Sequence, residues 1–459
     1  MARHLAPRQS ALAILMDVDQ GRLTLDRRMD EFHRISSFDR RDEAFITALV
    51  FGVLRWRRRL DGIIAAVASR PLSKIDPWAM NAIRLGLYQM LYMDRVPDSA
   101  AINTSVELIK TGPQKWLAGF VNAVLRNALR RLAEIETLPL PVNPARALAD
   151  RQSMPDWLVT RWIDQFGLSD ATALCATCNR IPSLTLRTNT LRIDRSTLLR
   201  DLQTLADSVR PARYAPDGVV VDGLRSALFA SPIFQKGMFQ VQDEAAQAVA
   251  YLLAPEAGQT VLDACAGRGG KTAHIAALMN NTGHIVALDY DGRKLKQLAA
   301  EMQRLGVDIV AVRQTDLQAT PMRSAPERFD RILIDAPCSG LGVIRRNPDA
   351  KWTRVAADIR RCARKQGQLL ENIAPLLKPG GALVFAVCST EPEETHALVA
   401  SFLNKHADFV IDEYFQKLPP SLAPLSPRPG RLETLPHRHG TDGFFAVRLC
   451  HRNQAKKGT

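Results

Sequence analysis

Two cysteine residues follow short apolar runs in the C-terminal half of the sequence. Cys338 comes three residues after Asp335, which ends the run Ile332–Ile334, and Cys388 lies in the run 382–389, ALVFAVCS. Short apolar runs bounded by turn residues are typical of buried parallel strands, and ligands of open α/β sheets bind at the carboxyl ends of such strands. The sequence therefore predicts two thiols and one carboxylate at one edge of a parallel sheet.

Two thiols beside a carboxylate are suited to covalent catalysis on a cytosine ring. A thiolate adds to carbon 6, carbon 5 then takes a methyl group from a sulfonium donor, and loss of the carbon 5 proton expels the thiol. Asp335 can hydrogen-bond or protonate the ring nitrogen that accumulates charge. Cys338 and Cys388 could instead be small core residues, because free cysteines are often buried. Their position at two strand ends beside Asp335 favours catalysis, although chemistry alone does not rank the two thiols.

A glycine-rich loop at residues 265–270 separates a predicted strand from a predicted helix, as in many nucleotide-binding turns. A phosphate-binding P-loop would require glycine where Cys265 stands, and the dinucleotide spacing G-x-G-x-x-G is not met either. The third candidate ligand is S-adenosylmethionine. Asp289 follows the loop by about 20 residues, at the end of the next strand, where a carboxylate can bind a ribose. Asp316 would then meet the adenine, and the methyl group would lie near Asp335.

The composition favours a polyanionic partner. The 459 residues contain 61 Lys and Arg against 47 Asp and Glu, a net charge of +14. Nucleic acid is the first candidate partner and an anionic membrane surface the second. Seven cysteines without a signal peptide predict reduced thiols in the cytoplasm, and no apolar run is long enough to span a membrane. Cys175 and Cys178 form a lone CxxC pair, which we expect to pack a helix rather than bind metal.

From residue 240 onward, predicted strands and helices alternate, which indicates an α/β doubly wound sheet. A helix is predicted to end at the Lys-Pro-Gly-Gly sequence of residues 378–381, and the strand that leads to Cys388 follows. The predicted strands are 260–264, 284–288, 308–312, 329–335, 382–388, 409–413 and 443–449.

The N-terminal part is predicted to be all-helical, with five or six helices between residues 11 and 131. Asp76 followed by Pro77 is typical of a helix start. The basic cluster 55–59, RWRRR, has two interpretations: it contacts a phosphate backbone, or it is the solvated end of a helix.

We divide the chain into three domains. Residues 1–137 form the helical domain, and the proline-rich segment 138–144 is a linker. Residues 145–235 form a small α/β module with strands near 184–187 and 219–221 and a helix near 198–205. Residues 236–451 form the catalytic domain.

Several motifs resemble those of a known family, the bacterial 16S ribosomal RNA cytosine-C5 methyltransferases. The N-terminal region is also similar to NusB-like RNA-binding domains. The resemblance covers nearly the whole chain. Its methyltransferase motifs are 263–272 (DACAGRGGKT), 335–340 (DAPCSG), 345–349 (RRNPD), 351–352 (KW), 387–390 (VCST), 392–394 (PEE) and 439–445 (HGTDGFF). Its NusB-like motifs are 71–77 (PLSKIDP) and 119–126 (GFVNAVLR).

The resemblance implies a Rossmann-like methyltransferase domain and assigns roles to the two thiols. Cys388 is the nucleophile, and Cys338 assists release of the methylated base. Arg268 stands where the family usually has proline, which would stiffen the turn; Arg268 could pair with the donor's carboxylate instead. The implied residues for S-adenosylmethionine are Cys265, Ala266, Gly267, Arg268, Gly269, Gly270, Lys271, Asp289, Asp316 and Asp335.

The resulting expectation is a cytoplasmic, monomeric enzyme that methylates 16S ribosomal RNA, with no metal and no membrane partner. Two rival functions stay open at this point. A non-catalytic RNA-binding factor would keep the fold without the reaction, although the survival of both thiols and of the strand-end aspartates argues against it. An amino-group methyltransferase would keep its activity when Cys388 is replaced by alanine.

Overall fold

The computed structural model describes residues 2–137, 141–225, 227–318, 327–413 and 417–452. By its internal contacts the chain divides into two compact units. Unit 1 contains residues 1–181 together with the segment 344–355, and unit 2 contains residues 182–343 and 356–459. The predicted linker 138–144 lies partly outside the described residues, and our three domain boundaries remain predictions.

The helices and strands of the described residues are numbered in chain order. The helices are α1 (Ala2–Asp19), α2 (Leu25–Ile35), α3 (Arg40–Val67), α4 (Pro77–Tyr92), α5 (Asp98–Lys110), α6 (Ala118–Glu136), α7 (Pro144–Arg151), α8 (Asp156–Cys178), α9 (Arg195–Leu202), α10 (Pro232–Gln235), α11 (Glu244–Leu253), α12 (Gly270–Leu278), α13 (Gly292–Leu305), α14 (Ala350–Thr353), α15 (Ala356–Ile373), α16 (His396–Lys405) and α17 (Pro436–His439). The strands are β1 (Leu184–Thr188), β2 (Ala206–Pro211), β3 (Gly218–Leu224), β4 (Phe239–Val241), β5 (Thr260–Asp263), β6 (His284–Asp289), β7 (Val310–Gln314), β8 (Phe329–Asp335), β9 (Leu377–Val387), β10 (Phe409–Ile411), β11 (Arg431–Thr434) and β12 (Phe444–His451).

Unit 1 is all-helical in its described residues, apart from short 3-10 turns and loops. Leu12, Leu15, Leu49 and Val53 recur at helical spacing and are buried in one core. The predicted start of α4 is confirmed, because the Asp76 carboxylate accepts hydrogen bonds from the first backbone N–H groups of the helix. α14, from the segment 344–355, belongs to this unit although both flanking parts of the chain belong to unit 2.

The basic cluster 55–59 lies in the middle of α3, so its interpretation as a solvated helix end was wrong. The helix continues for two more turns beyond it and has only a local departure from helical backbone angles at Trp56. Three of its arginines are engaged within unit 1, which leaves little of the cluster for a phosphate backbone. Their partners are the Arg345 carbonyl at 2.9 Å for Arg55, Asp19 at 2.8 Å for Arg57 and Asp150 at 2.6 Å for Arg58.

Unit 2 contains a small antiparallel sheet with strand order β2-β3-β1-β4. The two predicted strands of the connecting module are present as β1 and β3, with the predicted helix between them as α9. Strands β2 and β4 were not predicted. β2 is largely exposed and β4 has three residues, so neither carries a clear apolar alternation.

The large sheet of unit 2 has the order β10-β12-β9-β8-β5-β6-β7, with β11 paired to β12. Strands β9, β8, β5, β6 and β7 are parallel, whereas β12 runs antiparallel to β9. The predicted doubly wound architecture is thus confirmed. Parallel order brings the carboxyl ends of β5, β6, β8 and β9 to one edge, where the candidate site lies.

One predicted helix end was misplaced. α15 ends at Ile373, and β9 already includes the sequence Lys378–Gly381. Gly380 has a φ of +86°, a conformation that glycine adopts without strain. The Pro-Gly-Gly sequence therefore forms the irregular start of a strand rather than the end of the helix.

Candidate active site

The two cysteines of the predicted site lie side by side. β8 and β9 are adjacent parallel strands, with Asp335 opposite Ala386. Because both strands end at the same edge, the residues that follow them meet there, and the sulfur atoms of Cys338 and Cys388 are 3.1 Å apart. Both side chains are half-buried. The structure therefore unites two thiols that are 50 residues apart in the sequence.

Asp335 is held by a lysine from the glycine-rich loop. The Lys271 ammonium is 2.6 Å from an Asp335 carboxylate oxygen and lies over the Phe444 ring, 5.0 Å from its centre. The carboxylate remains half-exposed, so a ligand can still reach it. Sequence reasoning placed Lys271 and Asp335 in the site but missed Phe444, which lies in the quoted motif 439–445 without an assigned role.

The loop between β5 and α12 presents backbone to an open space. Gly267 and Gly269 both have positive φ, at +56° and +83°. A side chain at Gly269 would collide with Leu298 of α13, at 2.7 Å, whereas a Cβ atom at Gly267 would have no atom within 4 Å. Gly269 thus serves close packing, and Gly267 leaves room beside the N-terminus of α12. Helix N-termini attract negative groups of ligands.

Asp289 connects the end of β6 to this loop. Its carboxylate accepts hydrogen bonds from the backbone N–H groups of Gly267 and Asp291, both at 2.9 Å. The residue is 7% exposed, so the carboxylate is fixed at the edge of the open space. A rigid carboxylate at the end of the second strand is what a ribose requires.

The other residues predicted to bind S-adenosylmethionine differ in their surroundings. Asp316 lies in the exposed turn after β7, and its carboxylate accepts a hydrogen bond from the Gln318 backbone at 2.9 Å. Arg268 is exposed at the tip of the loop. Cys265 is half-buried, and burial raises the pKa of its thiol, which makes this cysteine a poor nucleophile.

A buried aspartate is hydrogen-bonded to the first turn of the helix that follows the glycine-rich loop. Asp263, at the end of β5, accepts a hydrogen bond from the Thr272 hydroxyl at 2.7 Å and is 1% exposed. Burial raises the pKa of Asp263 to about 7. This contact fixes the first turn of α12 against the sheet. The residue is part of the quoted motif 263–272, yet sequence reasoning gave it no role.

The CxxC pair, Cys175 and Cys178, and the first residue of the motif 439–445, His439, pack within the protein. Cys175 and Cys178 are buried in α8, where we expected them to pack. His439 lies in α17, where its ring nitrogen accepts a hydrogen bond from the Leu435 backbone at 2.9 Å. Within the described residues, no group of three or more His, Cys, Asp and Glu side chains could hold a metal ion. In the same part of the chain, no helix is both long and apolar enough to cross a membrane.

Comparisons with known proteins match all parts of this architecture. A family model described as 16S rRNA methyltransferase RsmB/F matches residues 250–450, the NusB family matches residues 5–130, and a ferredoxin-like domain of RsmF/B-like methyltransferases matches residues 154–226. The ribosomal RNA small subunit methyltransferase B of Pseudomonas syringae pv. tomato is 34% identical, with 96% of each chain covered. A Bacillus subtilis relative is 37% identical, over 98% of this chain and 99% of its own. The chain belongs to the ribosomal RNA small subunit methyltransferase B family.

Solved structures agree with this membership. The crystal structure of PH0851 is 26% identical and has a TM-score of 0.80, with 96% of this chain and 98% of that chain covered. NSun6 from Pyrococcus horikoshii, solved with SFG, shares the fold with a TM-score of 0.57 at 23% identity, over 65% of this chain and 98% of its own. The protein is accordingly an S-adenosylmethionine-dependent ribosomal RNA methyltransferase of the cytosine-C5 type, and the resemblance seen in its motifs is confirmed.

Proposed function

We propose that this enzyme methylates carbon 5 of one cytosine in 16S ribosomal RNA through a transient bond between the Cys388 sulfur and the base. The observation that carries the proposal is the pair of sulfur atoms, 3.1 Å apart at the ends of two adjacent strands. The Asp335 carboxylate ends one of those strands, so both thiols and an acid can reach the same ring. A base held in a duplex or a stack must first be extruded to reach them.

Cys338 and Cys388 take different parts in this mechanism. The contact with Cys388, followed by burial, raises the pKa of Cys338 well above its ordinary value. A thiol with a raised pKa keeps its proton, which suits Cys338 to the later steps, and we assign the attack on carbon 6 to Cys388, as the family resemblance implies. The attacking form of Cys388 is the thiolate, whose sulfur lone pair forms the bond to carbon 6.

The second half of the reaction uses the same pair. Once Cys388 is bonded to carbon 6, it no longer raises the pKa of Cys338 through their contact, and Cys338 can release its proton to water. Its sulfur then takes the proton from carbon 5. The electron pair of that C–H bond forms the carbon 5–carbon 6 double bond and expels the Cys388 sulfur. Asp335 serves the ring nitrogen: it passes on a proton from the Lys271 ammonium, 2.6 Å away, during addition and recovers it during elimination.

The donor site fits S-adenosylmethionine. The open space beside Gly267, the fixed Asp289 carboxylate and the N-terminus of α12 offer groups for a nucleoside and for a carboxylate. When bound, the donor supplies a methyl group on a positively charged sulfur. The residues proposed to hold it are Cys265, Ala266, Gly267, Arg268, Gly269, Gly270, Lys271, Asp289, Asp316 and Asp335.

Replacement of Asp289 tests the donor site. Asp289→Ala removes the proposed ribose acceptor, so we expect the Kd for S-adenosylmethionine, measured by calorimetry, to rise about tenfold or more. The affinity for RNA should stay unchanged. Asp308→Ala, at an exposed position two residues before β7, is the control. Equal donor affinity in the Asp289→Ala variant and the wild type would remove Asp289 from the site.

A methyl-transfer assay tests the function as a whole. The excess of 14 positive charges supports a polyanionic substrate, and we place the reaction in the cytoplasm, with one chain acting alone. Labelled donor should transfer its methyl group to small-subunit RNA, and mapping of 5-methylcytosine should return one position. Retained RNA binding without transfer would favour a non-catalytic factor. Transfer that survives Cys388→Ala would favour an amino-group methyltransferase.

A further inference from the structure

A buried carboxylate lies next to the cysteine pair. Glu394 follows β9 in a short turn and has no exposed surface. One of its carboxylate oxygens accepts hydrogen bonds from the Ser339 backbone N–H at 2.8 Å and from the Gln366 side-chain amide at 3.0 Å. Both donors are themselves buried.

The other carboxylate oxygen binds two hydroxyl groups. It accepts hydrogen bonds from Ser389, at 2.6 Å, and from Ser339. Ser339 directly follows Cys338, and Ser389 directly follows Cys388. A single carboxylate is therefore hydrogen-bonded to the residue after each of the two thiols.

Two further hydrogen bonds fix the same backbone. Gln366 of α15 also donates to the Pro337 carbonyl, at 3.0 Å, so it holds the peptide that precedes Cys338. The Gly342 backbone N–H donates to the Cys388 carbonyl at 3.1 Å. The loop after β8 and the end of β9 are thus joined on both sides of the thiols. The Glu394 side chain is hydrogen-bonded to both of these cysteine-containing segments, at Ser339 in the loop after β8 and at Ser389 after β9.

We propose that Glu394 is a positioning residue that sets the separation and the alignment of the two sulfur atoms. The inference rests on the roles proposed for Cys338 and Cys388. A carboxylate accepts hydrogen bonds only, and here four donor atoms point at it. Glutamine in its place would turn an N–H group toward at least one of those donors, and alanine would remove the acceptor that all four donors share. Either change frees the two cysteine segments to move apart.

Steady-state kinetics give the first test. We expect Glu394→Gln to lower kcat about 10- to 100-fold, because displacement of reacting groups by about 1 Å costs that much. The KM values for S-adenosylmethionine and RNA should change less than about threefold, since Glu394 has no exposed surface with which to contact either ligand. Glu394→Asp keeps an acceptor at shorter reach and should recover part of the loss. Glu371→Gln, which breaks an exposed pair with Lys405, is the matched control.

A thiol reaction reports the sulfur geometry without any substrate. Diamide oxidises two neighbouring thiols to a disulfide and takes up their two protons and two electrons as it becomes a hydrazine. In the wild type the Cys338–Cys388 disulfide should form quickly, as followed by mass spectrometry of peptides. In Glu394→Gln its rate should fall about tenfold, because a looser pair has a lower effective concentration. The Glu371→Gln rate should equal that of the wild type.

The outcomes separate this inference from the proposed function. Wild-type kcat in Glu394→Gln, or a loss of kcat with an unchanged rate of disulfide formation, would overturn the positioning role. Full activity of Cys388→Ser would overturn the proposed function instead. Should Glu394→Gln fail to fold, the double variant Ser339→Ala, Ser389→Ala removes both hydroxyl donors and keeps the carboxylate. It must show the same fall in kcat and in disulfide rate if the inference is right.

Discussion

Two regions of the molecule each combine two cysteines with one lysine, in different surroundings. The strand-edge cluster of unit 2 consists of Cys338, Cys388 and Lys271. The helical-core cluster of unit 1 consists of Cys175, Cys178 and Lys351. In the first, the lysine pairs with a half-exposed carboxylate, and both thiols are half-buried. In the second, all three side chains are at most 2% exposed.

The helical-core cluster shows what burial does to these residue types. Burial raises the pKa of Cys175 to about 12. Burial also lowers the pKa of Lys351 to about 7, although its nitrogen lies near three oxygen acceptors. Those acceptors are the carbonyls of Arg55 and Ser153 and the Asn179 side chain, at 3.0, 3.3 and 2.6 Å. A cysteine pair in a helix core is thus inert, whereas one at a sheet edge can meet a base.

Replacement of one cysteine in each cluster by serine should give the largest difference in kcat between the two clusters. Cys388→Ser removes the thiolate that we propose to attack carbon 6, and a hydroxyl is a far weaker nucleophile at neutral pH. We expect kcat to fall about a thousandfold or more. Cys178→Ser should keep kcat within about twofold and should lower only the thermal stability, because it places a hydroxyl in an apolar core. Comparable losses of kcat in both variants would erase the distinction between the clusters.

Replacement of the lysine in each cluster by methionine should give a smaller difference, measured in kcat/KM. Lys271→Met removes the ammonium that fixes Asp335 at 2.6 Å. We expect kcat/KM to fall about 10- to 100-fold, since Asp335 loses its alignment toward the ring. Lys351→Met keeps the buried stem and should leave kcat/KM nearly unchanged. The two variants are compared in the same methyl-transfer assay, and a larger loss in Lys351→Met would contradict the assignment.

Lys351 should instead change how stability depends on pH. Its pKa is about 7 in the folded chain, against the ordinary 10.5 when unfolded. Between these values the unfolded chain binds a proton that the folded chain does not, so the free energy of unfolding rises with pH across that window. The rise attributable to this group is on the order of 2–4 kcal/mol.

Urea unfolding of the full-length protein at pH values from 7 to 10 measures this slope. Lys351→Met should flatten the rise relative to the wild type, because methionine does not titrate. Equal slopes for the two proteins would show that Lys351 stays charged in the core. The strand-edge variant Lys271→Met serves as the control and should keep the wild-type slope.

Much of the site at the strand ends could be predicted from the sequence, because its aspartates stand at the ends of short apolar runs. Asp289 and Asp335 each end an apolar run, and both are the last residues of their strands in the structure. Parallel strands with crossover helices leave those ends at a common edge, so proximity follows from the topology. Asp289→Ala and Lys271→Met test the roles proposed for these two residues.

The parts that sequence reasoning missed depend on contacts between distant segments. Strand β2 is polar and largely exposed, and it is a strand because it pairs with β3, as in Val209 opposite Val221. Phe444 meets Lys271 from 173 residues away, since β12 lies beside β9. Glu394 had no assigned role because its donors are brought to it only by the folded loops. Local periodicity does not encode any of these contacts.

The covalent bond that we propose at Cys388 is tested most directly by trapping it. Cys338→Ala removes the group that we propose takes the carbon 5 proton, so elimination should stall after methyl transfer. With donor and small-subunit RNA, this variant should accumulate a protein–RNA adduct that resists denaturation. Mass spectrometry of the digested adduct should find the nucleotide attached to the peptide that carries Cys388. Full turnover without an adduct, or attachment at any other residue, would contradict the mechanism.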